Sequence, residues 1–156
     1  MGNENLFMER EINAIEFLCK RWNCGYTYTG KDMYSRVDGF FTKDNELKGI
    51  FEVKCRNQGL SWFQDYKSTM VSYNKIQIGS DLSRLLKVKF FVVIQTAENH
   101  LIVFQITDND GRIVCPMNIR FSDAEKTANF DKKATTNAYL SLEENKYCWV
   151  FKKEFI

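Results

Sequence analysis

The stretch Gly49-Ile-Phe-Glu-Val-Lys-Cys-Arg-Asn57 sets two opposite charges inside an apolar run. Residues two apart on a strand share a face. Glu52 and Lys54 therefore point the same way as Ile50, and Phe51, Val53 and Cys55 point the other way. An amphipathic strand with a surface ion pair is the plain explanation, and such a pair contributes little. The acid-x-Lys pattern is also cheap: it recurs at Glu46/Lys48, Asp65/Lys67, Asp131/Lys133 and Glu144/Lys146. Context separates position 52 from these copies, because it lies mid-strand while the others fall in turns, loops or weak segments.

A second acid, Asp38, stands in the preceding strand-like segment, beside Val37 and Phe40-Phe41. Asp is a poor strand former and its presence there needs a reason. The two segments Val37–Thr42 and Lys48–Arg56 flank Lys-Asp-Asn-Glu, which reads as a hairpin turn. An odd number of loop residues puts Asp38 directly opposite Glu52 on one sheet face; an even number puts them on opposite faces. In the odd register the two carboxylates repel unless a proton or cation intervenes. Hard divalent cations such as Mg²⁺ take oxygen ligands, activate a bound water and polarise a phosphate oxygen. Lys54 beside such an ion would orient the water and offset charge on a phosphate. That is the chemistry of phosphodiester hydrolysis.

The composition sets the frame. The chain has 156 residues, a length that suggests one domain, with thirteen Phe, seven Tyr and three Trp to fill a core. One proline and eight glycines argue against a linker or a low-complexity region. No apolar run is long enough to span a bilayer, and the N-terminal stretch lacks the basic-then-apolar order of a signal segment. Five cysteines with no CxxC pair fit a reducing, cytoplasmic setting better than a disulfide or zinc framework. A single histidine, His100, weighs against His-based triads and metal sites, and it is given no role. Net charge is only +2, so contact with nucleic acid needs a local basic patch.

Along the chain, residues 4–22 read as a helix: Phe7, Ala14, Ile15, Leu18 and Trp22 recur at three- and four-residue steps. Residues 26–29 favour a strand. Residues 57–66 read as a polar–aromatic loop and 67–71 as a short strand. Ser72 is the N-cap of a helix to about Leu86, with Lys75 in line with Ile78, Gly79, Leu82, Leu85 and Leu86. Lys87–Thr96 is a buried strand and His100–Thr107 another. Irregular strands follow, with a last one near 147–152. The core covers about 4–107 and an extension about 108–156. The segment Lys126–Lys133 reads as a solvated charged loop.

These features resemble the PD-(D/E)XK nuclease superfamily. Its pattern is an acid at one strand, then Asp/Glu-x-Lys on the next. Here that is Val37-Asp38, thirteen intervening residues, then Glu52-Val53-Lys54. The element order of residues 4–96 is similar to the family core, although Val37 stands where the family name has proline. Met8-Glu-Arg-Glu-Ile12 and Gly30 to Asp38 are similar to archaeal Holliday-junction resolvases, and later segments to small phage-type members. The resemblance implies an α/β (α+β) restriction-endonuclease-like core, a central mixed sheet flanked by helices, with a β-rich C-terminal tail. It implies a DNA nuclease dependent on Mg²⁺, with Mn²⁺ as substitute, in a prokaryotic or phage-infected cytoplasm. Catalytically inactive DNA-binding or protein-interaction modules share this fold. Many members dimerise, which leaves a homodimer open.

The resemblance also assigns roles. Asp38 and Glu52 would bind metal with the backbone carbonyl of Val53. A glutamate of the first helix, which offers Glu9, Glu11 and Glu16, often joins: Glu11 fits the helical wheel, Glu9 fits the resolvase pattern better, and all three could instead be solvated. Lys75 either snorkels to water or reaches a phosphate. Arg36, Arg56 and Lys67 could hold phosphates of a bound strand. Trp62, Phe63 and Tyr66 either stack on unpaired bases or pack on the core.

Overall fold

The computed structural model describes residues 2–29, 36–123, 134–143 and 146–153. The charged segment Lys126–Lys133 lies outside them. Helix α1 (Gly2–Trp22) buries Ala14, Ile15 and Leu18, and Lys20 and Arg21 occupy its last turn, where the helix dipole favours cations. Strands β1 (Gly25–Tyr28), β2 (Gly39–Lys43) and β3 (Glu46–Cys55) form an antiparallel meander. Then come α2 (Leu60–Tyr66), β4 (Ser68–Ser72), α3 (Tyr73–Leu86), β5 (Lys89–Gln95) and β6 (His100–Gln105). The chain continues with β7 (Met117–Asp123), β8 (Ala134–Ser141) and β9 (Cys148–Lys152).

Six strands form a mixed sheet in the order β1-β2-β3-β5-β6-β9, with β3 and β5 parallel. A second sheet has the order β4-β8-β7. This is the mixed α/β, restriction-endonuclease-like architecture the sequence implied. Helix α1 covers one face of the large sheet through Phe51, Val53, Val93 and Val103. Helix α3 and the small sheet cover the other through Ile50, Val92, Ile94 and Phe104. Among the described residues no helix is long and apolar enough to cross a membrane.

Two expectations need correction. Residues 60–66 are helical rather than loop; the segment is short and its N-cap, Gly59, has no side chain to announce it. Ser72 is the N-cap of α3 as expected, although its side chain makes no capping bond. The buried face of α3 is also rotated from the apolar stripe, since Ile76, Gly79, Ser80 and Ser83 are buried while Leu85 is 76% exposed. Two contacts select that face. A Cβ on Gly79 would collide with the Phe90 ring. The Ser83 hydroxyl lies 2.6 Å from that of Thr107, which satisfies a buried polar pair.

The β2–β3 register arises from two opposing features. The turn has two residues, Asp44 and Asn45, both with positive φ (53° and 62°), as tight hairpins favour. Such an even loop alone would pair position 38 with Phe51. Lys48 is an extra residue, however: Thr42 pairs with Leu47 and Phe41 with Gly49. This bulge shifts every later pair by one, so Gly39 faces Phe51 and Asp38, just before it, faces Glu52.

Candidate active site

Asp38 precedes β2 in an extended connection held on both sides. Its N–H donates to the Phe51 carbonyl at 3.2 Å, and its own carbonyl accepts from Thr29 N–H at 2.7 Å. Its carboxylate Oδ2 accepts the Val53 N–H at 2.9 Å. An Asp at this strand entrance thus completes the backbone ladder of β3 where β2 has not yet begun. Gly39 makes room for the arrangement: a Cβ there would collide with the Phe51 ring and the Thr27 carbonyl.

Glu52 lies opposite on the same face and is 1% exposed, against 4% for Asp38. Neither Glu52 oxygen has a hydrogen-bond partner among the described residues. Burial first, and the Asp38 carboxylate second, push its pKa from 4.5 up to about 7, against the opposing pull of Lys75 and Lys54. Lys75 reaches in from α3, its Nζ 3.7 Å from Glu52 Oε1 with the side chain still one-third exposed. The lysine thus keeps solvent contact while its ammonium sits beside the Glu52 carboxylate. Lys54 shares the face of Glu52 by strand alternation and is half-buried.

Glu11 is buried at 6% exposure, whereas Glu9 on the same helix is exposed. Helix α1 packs on the sheet face of Phe51 and Val53. Tyr28 lies near all three acids. Its hydroxyl donates to Glu11 Oε2 at 3.1 Å, and its phenol pKa is raised by burial first and then by Glu11, Asp38 and Glu52. Among the described residues no group of three or more His, Cys, Asp or Glu side chains is placed to hold a metal together. Asp38 and Glu52 are the paired acids, and Tyr28, which donates to Glu11, feels the charge of all three.

Tyr28 was missed in the sequence. The signal was the alternation of Tyr26 and Tyr28 on one strand face: Tyr26 donates to Glu16 Oε1 at 3.0 Å as Tyr28 does to Glu11. The three cations named for phosphate contact spread apart. Arg36 is exposed beside Ile78, Asp81 and Leu85 of α3. Arg56 Nη2 donates to the Met70 carbonyl at 3.0 Å, and Lys67 Nζ pairs with Glu143 at 3.0 Å. The aromatic segment divides: Phe63 is buried in the core, while Trp62 and Tyr66 are exposed with ring centroids 4.5 Å apart.

A family model described as "Phage putative PDDEXK endonuclease" matches residues 7–118. A search of curated proteins and a search of solved structures each returned no match. The matched stretch runs from α1 to the start of β7 and contains Glu11, Tyr28, Asp38, Glu52, Lys54 and Lys75. With the acid–acid–lysine arrangement inside a match over most of its length, the chain belongs to the phage PD-(D/E)XK endonuclease family.

Proposed function

We propose that the protein hydrolyses DNA phosphodiester bonds with a divalent cation, Mg²⁺ or Mn²⁺, held by Asp38 and Glu52. The observation that carries this reading is the Glu52 carboxylate, buried beside Asp38, whose two oxygens have no hydrogen-bond donor among the described residues and only the Lys75 ammonium at 3.7 Å. A buried, unsatisfied acid is costly unless it has a function. An oxygen-only donor pair suits a hard cation, and Mg²⁺ commonly uses one or two carboxylates with waters and substrate phosphates completing its shell. When bound, such an ion supplies a water of lowered pKa and a polarised phosphate oxygen.

The chain's own residues do the rest. The Val53 N–H fixes the Asp38 carboxylate, and its backbone carbonyl is the third candidate ligand. Lys75 holds Glu52 in place and extends toward solvent, where a phosphate would enter. Lys54 orients the attacking water and offsets negative charge on the scissile phosphate. Tyr28 holds the Glu11 carboxylate in place by a hydrogen bond. Incubating the purified protein with plasmid DNA in Mg²⁺ or Mn²⁺ tests the reading: the wild type nicks or linearises the plasmid and Lys54→Ala does not. A Lys54→Ala protein that cuts at the wild-type rate refutes it.

A second reading, a catalytically inactive nuclease-fold binding module, draws on the lack of a three-acid group among the described residues. It requires that neither cation binds at Asp38 and Glu52.

A further inference from the structure

The small sheet β4-β8-β7 turns one face to the core, where Thr69, Val71, Ala138 and Leu140 are buried. Its opposite face carries Ser68, Met70, Asn118, Arg120 and Tyr139, with no acid among these residues. A groove of about 450 Å³ lies along it, bounded by Tyr66, Lys67, Asn118, Arg120, Tyr139 and Glu143. We infer that this groove holds an unpaired stretch of DNA beside the cleavage site, so that the preferred substrate is a duplex with a single-stranded tail or branch. The inference rests on the nuclease reading above and specifies its substrate.

Three observations carry it. First, the groove offers rings to stack against. Tyr66 is 65% exposed, and the Arg120 guanidinium lies 4.7 Å from the Tyr139 ring centroid. Aromatic rings and guanidinium planes hold unpaired bases, whereas duplex bases are closed off by their neighbours in the stack. Second, the charge is complementary. Among the described residues Glu143 is the one acid lining the groove and is paired with Lys67 at 3.0 Å, which leaves Arg120 as an excess positive charge for a phosphate. Third, strand β4, which borders the groove, is tied to residues around the acid pair. Arg56, two residues beyond Lys54, holds the Met70 carbonyl of β4. Lys75, three residues beyond the end of β4, pairs with Glu52. Arg120, Tyr139 and Glu143 lie beyond the stretch matched by the family, whereas Tyr66, Lys67 and Asn118 lie within it, so the groove joins the matched core to the C-terminal extension.

Fluorescence anisotropy of the full chain in EDTA tests it, with a blunt duplex and the same duplex carrying a single-stranded tail as probes. The wild type should bind the tailed duplex about tenfold more tightly, the worth of one stacked base. Arg120→Ala, at an exposed position, and Tyr139→Leu should each reduce that preference to about twofold or less, with unchanged circular dichroism. Equal wild-type binding of the two duplexes, or a preference that survives both substitutions, overturns the inference. Failure of the nuclease reading looks different: the wild type then cleaves neither duplex in Mg²⁺ or Mn²⁺, whatever the anisotropy shows.

Discussion

Strand β3 contains the same acid-x-Lys pattern twice, six residues apart, with opposite results. At the turn end, Glu46 and Lys48 form an exposed ion pair at 2.9 Å, and the lysine lowers the pKa of the glutamate. At mid-strand, Glu52 is buried without a hydrogen bond, next to a second acid, and its pKa is raised to about 7. Residue type and spacing are identical. The environment differs, because the first copy projects into solvent and the second lies between α3 and the Asp38 connection. A motif of this kind acquires chemistry from register and burial, not from its letters.

The sharpest way to break the comparison is to remove one charge at each copy. Lys54→Ala or Asp38→Ala should lower the cleavage rate by about 10²–10⁴-fold, the usual worth of a positioned acid–base or electrostatic group. Lys48→Ala should leave the rate of plasmid nicking within about twofold, as expected for a surface position. Deleting Lys48 tests the register itself. It removes the extra residue and leaves Phe41 opposite Gly49, so Asp38 still faces Glu52. We expect nicking to stay of the same order as in the wild type, and a deletion variant as inactive as Lys54→Ala would contradict the register argument.

Stability shows the next largest contrast. A carboxyl whose folded pKa is raised binds more protons folded than unfolded. Its contribution is therefore most favourable below 4.5 and is lost as pH rises through about 7. A shift of that size corresponds to on the order of 3 kcal/mol. In EDTA at pH 8, Glu52→Gln should raise Tm by roughly 5–10 °C, and the gain should vanish near pH 4.5. A wild-type-like Tm for Glu52→Gln at pH 8 would show that the buried charge is not costly. Glu46→Gln should act in the opposite direction and barely move Tm, since its lowered pKa belongs to an exposed pair. Tyr28→Phe falls between them. It removes the hydrogen bond to buried Glu11 and should cost about 1 kcal/mol in a urea melt.

Much of this site was legible in the sequence because it is local. Asp38 and Glu52 lie on adjacent strands of one hairpin, and alternation fixes which side chains share a face. The bulge at Lys48 was not legible: the odd register was stated as a requirement, yet a two-residue turn plus one extra residue achieves it. Tyr28 was hidden because a tyrosine on a short strand reads as an ordinary β-former. The small sheet was hidden for a different reason. β4 pairs with β8 across nearly half the chain, as in Val71 with Ala138, and no local period records such a pairing. Helix α3 shows the limit of the apolar stripe: Ser80 and Ser83 are buried and Leu85 is exposed, because backbone approach at Gly79 and the Ser83–Thr107 bond decide its rotation.

Calorimetric titration of the metal-free protein with Mn²⁺ at pH 8 tests the central claim most directly. The account predicts saturable binding by the wild type and by Glu46→Gln, and none by Asp38→Asn or Glu52→Gln. No binding by the wild type, or undiminished binding by Asp38→Asn and Glu52→Gln, would contradict it.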